Sequence, residues 1–237
     1  GAGYGSLGAL YLTLFVDSGD GVKETYRSAA IFDDRMKSEN RDPCLDSATI
    51  QSLDLDADGS DELVVHGTMR GASWAPSFVK VFQATASGLV EKGAIYSHEP
   101  LWIGELDRDN RIEMTNIFAI GATLSHAAQP RWQDIYSYRD GQLVLVNVRF
   151  PHRFRDGLEG LKDALEMAPE DYELWLYYGR TLEILERRDD ALEAFSKALH
   201  FREESLDAST WYDDQRKEEI MADLKKAYDQ LAGSKEE

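Results

Sequence analysis

The chain has 237 residues, 43% hydrophobic and 30% charged, which suits one large folded domain or two small ones and not a disordered tail. A net charge of −18 repels a phosphate backbone, and so argues against nucleic acid and against an anionic membrane surface. With Cys44 as the single cysteine there is no intramolecular disulfide and no thiolate metal cluster, and no apolar run is long enough to span a bilayer.

In chain order, the first half reads as strands and turns. The residues Gly1 to Gly5 carry neither a basic nor an apolar leader pattern. Short apolar runs then alternate with Gly, Asp, Ser and Pro: Tyr11–Val16, Ala29–Phe32, Glu62–Thr68, Phe78–Phe82, Leu89–Tyr96, Ile135–Tyr138 and Leu143–Val148. Asp140 and Gly141 between the last two form a tight hairpin signal, and Ser87 with Gly88 forms another.

Within this half an acidic loop occurs twice. Asp54, Asp56, Asp58 and Glu62 hold loop positions one, three, five and nine, with Gly59 at six and Ser60 at seven. Glu105, Asp107, Asp109 and Glu113 hold the same positions 51 residues later, with Asn110 at six and Arg111 at seven. Alternate carboxylates on a curled loop can converge on a hard cation, the seventh residue offering its carbonyl and the ninth closing the site. The metal ligands expected are Asp54, Asp56, Asp58, Ser60 and Glu62, with a weaker set at Glu105, Asp107, Asp109, Arg111 and Glu113. Calcium is the cofactor this chemistry suits. An EF-hand would need a carboxylate at position twelve, where Val65 and Asn116 stand.

The pattern resembles the FG-GAP (VCBS-like) calcium-loop β-repeat over residues 48–148, with Asn110 replacing Gly and Glu105 replacing the leading Asp. Later halves of the units also match: Phe78–Phe82 aligns with Trp132–Tyr136, and Tyr11–Phe15 fits the same template. Residues 4–32 then form a half-unit without an acidic loop. The resemblance implies an antiparallel β domain of propeller-blade-like repeats that stays open, because two and a half units cannot close a ring. It also implies an exported bacterial protein, periplasmic or secreted.

From Pro151 the periodicity turns helical. Leu158, Leu161, Ala164 and Leu165 recur at three- and four-residue spacing, then Ala191, Leu192, Phe195, Ala198 and Leu199, then Ile220, Leu224, Ala227, Tyr228 and Leu231. Trp175, Tyr178, Gly179, Leu182, Ala191, Phe195 and Ala198, with Ala164 one 34-residue period before Ala198, resemble the tetratricopeptide repeat over residues 156–232. That resemblance implies a concave face carrying Glu173, Leu176, Arg180 and Glu183 as contacts for a protein or peptide partner.

The expected fold class is therefore α+β, segregated: residues 1–150 a β domain, residues 151–237 a helical region with a capping helix. No catalytic constellation stands out. His66, His98, His126, His152 and His200 lack ligand spacing, and neither a phosphate loop nor a nucleophile elbow is present. The expected function is a non-enzymatic interaction or scaffold module stabilised by calcium. The alternatives are a cytoplasmic helical-repeat adaptor with empty acidic turns, and a carbohydrate-binding module stacking sugars on Trp74, Trp102 or Trp132.

Overall fold

The computed structural model describes residues 13–17, 22–27, 45–69, 77–85, 88–97, 99–121 and 123–205, together with 222, 224–226, 228–229 and 231–233. The expected strand Ala29–Phe32, His98 and Trp74 lie outside these residues. The architecture is α+β, a β region followed by a helical one. Strands β1 (Thr13–Asp17) and β2 (Val22–Arg27) pair as an antiparallel hairpin. One four-stranded sheet then runs β3 (Leu45–Leu53), β4 (Glu62–Met69), β5 (Ser77–Thr85) and β6 (Gly88–Ser97), neighbours in space as in sequence. A second runs β7 (Trp102–Gly104), β8 (Glu113–Ala119), β9 (Arg131–Arg139) and β10 (Gln142–Leu145), again in sequential order.

The two sheets thus share one plan, with the acidic loop always joining strand one to strand two. The segments Phe78–Phe82 and Trp132–Tyr136, matched in the sequence, both lie on the third strand. In β5 every residue from Ser77 to Phe82 is buried, as a central strand covered on both faces requires. Lys80 is tolerated there because its ammonium reaches Glu91 at 3.0 Å. Asp140 and Gly141 turn the β9–β10 hairpin at φ 50° and 79°, pairing Arg139 with Gln142, as a two-residue primed turn should. Thr85 pairs with Gly88, so the second expected turn has the right place, with Ser87 outside the described residues. One expectation is corrected: β10 ends at Leu145, and Asn147–Arg149 form a single 3-10 turn in place of further strand.

Helix α1 (Pro151–Met167) starts on a proline, whose missing N–H costs nothing in the first turn. Helix α2 (Tyr172–Ile184) is capped by Asp171, which accepts from Glu173 N and Leu174 N. Helix α3 (Arg188–Ser205) has Asp189 and Asp190 in its first turn, where they complement the dipole. The residues described between 222 and 233 are helical, and Leu224 is fully buried. Among the described residues no helix is long and apolar enough to cross a membrane.

The chain forms two compact units, one of residues 1–117 with 134–145 and one of residues 118–133 with 146–237. In the first, a buried cluster among the described residues draws on both sheets: Leu55, Val64, Val79, Val81 and Ile95 with Leu101, Met114 and Tyr138. In the second, Leu158, Leu176, Leu182, Ala191, Ala194, Phe195, Ala198 and Leu224 make the helical core. Helices α2 and α3 meet where Gly179 faces Phe195, a Cβ on Gly179 falling only 2.7 Å from the ring.

Candidate cation site

Each acidic loop turns on two left-handed residues, at its fourth and sixth positions. In the first loop these are Ala57 (φ 62°) and Gly59 (φ 89°), in the second Arg108 (φ 63°) and Asn110 (φ 64°). Glycine takes that conformation freely, and asparagine is among the few other residues that visit it. So the Asn110 replacement leaves the turn intact.

The hydrogen bonds repeat as well. The carboxylate at position one accepts the N–H of position six: Gly59 to Asp54 Oδ2 at 3.0 Å, Asn110 to Glu105 Oε1 at 3.1 Å. Position five accepts from position seven: Ser60 N to Asp58 Oδ1 at 2.7 Å, Arg111 N to Asp109 Oδ1 at 3.0 Å. Position nine accepts from position two: Leu55 N to Glu62 Oε2 at 3.2 Å, Leu106 N to Glu113 Oε2 at 3.0 Å. Two loops that share their acid spacing and a leucine at position two have folded to one hydrogen-bond pattern.

Their carboxylates converge, though not identically. Oxygens of Asp54, Asp56 and Asp58 lie within 4.8 Å of one another, as do those of Asp107, Asp109 and Glu113. In the first loop the leading aspartate joins the cluster. In the second the leading Glu105 stays out of it, and the ninth residue joins. Glu62 is nevertheless deeply placed at 2% exposure. Burial pushes its carboxyl above the usual range and the charges of Asp56, Asp58 and Asp54 push the same way, while the bond from Leu55 N–H opposes them. Asp61, the one acid outside the ligand pattern, points elsewhere and takes a hydrogen bond from Ser52 Oγ at 2.6 Å.

Two polar atoms at the first loop are buried without a hydrogen-bond partner among the described residues: Asp56 Oδ1 and the hydroxyl of Tyr138. Tyr138, on β9 and 1% exposed, has its phenol pushed up to about 12, by burial first and then by the charges of Glu62, Asp56 and Asp58. A carboxylate oxygen left unbonded out of water costs free energy that a cation would recover. This donor set, all oxygen and strongly anionic, is of the kind that fits calcium, and Asp54, Asp56 and Asp58 are the converging residues that would hold it, with Glu62 buried beside them.

The residues expected to meet a partner fare differently. Leu176 is buried in the helical core. Glu173 Oε2 accepts Gly121 N at 2.8 Å, and so is engaged by residues 118–133 of the same unit. Arg180 lies over the Tyr177 ring, 5.7 Å from its centroid, and Glu183 is exposed. Of the tryptophans suggested for sugar stacking, Trp102 is 44% exposed, whereas Trp132 is 3% exposed between Phe154 and Tyr177 and is withdrawn from that role. Sequence reasoning missed Tyr138, and it missed a bond between the loops, Ile112 N to Leu55 O at 3.1 Å. The aromatic content of β9 marked it as a strand, but nothing local marked where its tyrosine ends.

Compared with protein-family models, curated proteins and solved structures, the chain matches none of them.

Proposed function

We propose that the protein is a non-enzymatic interaction module whose β-repeats are stabilised by calcium. The observation that carries this reading is the first loop: three aspartates within 4.8 Å of one another, with Asp56 Oδ1 buried and unbonded. The four-stranded, sequentially ordered sheets are the shape FG-GAP-like repeats would take. The Gly179–Phe195 contact is the close helix approach that a tetratricopeptide repeat would need. Partner contacts fall to Arg180 and Glu183, since Glu173 and Leu176 have other work. Export from a bacterial cell, to the periplasm or beyond, accompanies this reading; cleavage of a leader from the natural precursor would support it, and cytoplasmic retention would favour an adaptor with empty turns.

Melting in calcium and in chelator is the direct test. A ligand that binds only the native state raises stability by mass action, about 2.7 kcal/mol at roughly a hundredfold excess over Kd. The wild type should melt higher in calcium, and Asp56→Asn with Asp58→Asn should remove the larger part of that difference. A wild-type melt indifferent to calcium overturns the proposal.

A further inference from the structure

We infer that the two acidic loops take up divalent cations as a coupled pair, joined through the Leu55 peptide. The inference rests on the cation reading proposed above and adds regulation to it.

The connection runs through backbone groups. Glu62 Oε2 accepts the N–H of Leu55, and the carbonyl of Leu55 accepts the N–H of Ile112 at 3.1 Å. Ile112 immediately precedes Glu113, whose Oε2 accepts Leu106 N–H. The ninth-position carboxylates of both loops are therefore tied to one relay, and each is almost fully buried: Glu62 at 2% exposure, Glu113 at 0%. Leu55 itself is 0% exposed in the core, so its peptide cannot trade these bonds for water.

Beside this relay stand the two orphaned atoms of the first loop, Asp56 Oδ1 and the 1%-exposed Tyr138 hydroxyl. A buried acceptor and a buried donor with no hydrogen-bond partner among the described residues mark the place where an ion, or water held by one, completes the network. Asp56 follows Leu55 directly, so its carboxylate hangs from the same peptide unit that carries the relay. An ion that orders Asp56 orders the Leu55 peptide next to it, hence the bond to Ile112, hence Glu113. The second ion then finds its ninth ligand already in place, and the ordering cost is met once for both. Repulsion between the two ions opposes this, but the loops' outer aspartates face solvent, where salt screens charge beyond about 8 Å.

The test is calorimetric titration of the full chain with calcium at physiological salt. Wild type is compared with Asp56→Asn/Asp58→Asn, which silences the first loop, and Asp107→Asn/Asp109→Asn, which silences the second. Coupling predicts a wild-type isotherm steeper than the sum of the two single-loop isotherms. The two-ion affinity should exceed the product of the separate ones by about fivefold or more. Reciprocity requires each loop to lose the same factor when the other is silenced. Ile112→Pro, which deletes the donor of the connecting bond, should return the isotherm to the simple sum. Two ions bound independently would overturn the coupling and leave the cation reading standing, as would one ion bound by the first loop alone. No calcium bound at either loop would overturn both.

Discussion

Gly179 and Gly160 are both glycines inside helices, and their surroundings set them apart. A Cβ at Gly179 would stand 2.7 Å from the buried ring of Phe195, whereas a Cβ at Gly160 meets nothing within 4 Å. Alanine in place of helix-interior glycine is worth about 1 kcal/mol. At Gly160 nothing opposes that gain, so Gly160→Ala should raise the urea midpoint. At Gly179 overpacking of roughly 1–3 kcal/mol outweighs it, so Gly179→Ala should lower the midpoint. A stabilised Gly179→Ala would mean that the helices can separate at no cost. The pairing of Gly179 with Phe195 was legible, because helical spacing and a repeat template locate both residues. So was the first loop, whose carboxylates lie within nine consecutive residues. Tyr138 was not, since only the folded sheets bring it to residues 54–62. Nor was the engagement of Glu173 by Gly121, which depends on where a distant segment lies.

At the scale of elements, the strands missed were β2, the two that lead into the acidic loops, β3 and β7, and β8, which leaves the second loop. Residues 47–52 of β3 are all exposed, so no alternation of apolar and polar residues announces a strand. β7 is three residues long, and β8 mixes Glu113 and Asn116 with its apolar residues. The strands read correctly, β4, β5, β6 and β9, are those with buried β-branched or aromatic runs. Residues 118–133 were equally illegible, because they continue β8 and β9 yet group with the helices. Asp171 holds this segment to α2. Its Oδ1 accepts Glu173 N and Leu174 N at the helix start, while Oδ2 accepts Thr123 N at 3.2 Å and Thr123 Oγ1 at 2.5 Å. The residue is 4% exposed, so removing it strands donors from both sides. Asp171→Ala should cost about 2–3 kcal/mol, a lost cap of about 1 kcal/mol plus charge-assisted bonds. Asp171→Asn should cost less, because asparagine caps as well as aspartate. Equal losses in a denaturant titration would show that the cap contributes little beside the Thr123 bonds.

At the scale of the molecule, the division of the chain decides how the proposed calcium would be felt. The chain crosses between the two compact units three times, after residues 117, 133 and 145. A passive linker would cross once. Strands β8 and β9 each give residues to both units, so unfolding either unit takes strand from the other and the two should melt as one transition. Calcium at residues 54–62 would then protect the helices of the other unit as well. Domains of this size shift by about 2–4 °C per kcal/mol. Saturation of one loop should thus raise the midpoint of the helical circular-dichroism signal by about 5–10 °C, taking about 2.7 kcal/mol for the ion. The fluorescence of Trp102, on β7, read in a variant whose other four tryptophans are replaced by phenylalanine, should report the same midpoint and the same displacement. If calcium moves the tryptophan signal and leaves the helical signal where it was, the shared strands do not couple the units. The helical unit would then be a separate fold carried by the same chain, and its partner surface at Arg180 and Glu183 would be indifferent to calcium.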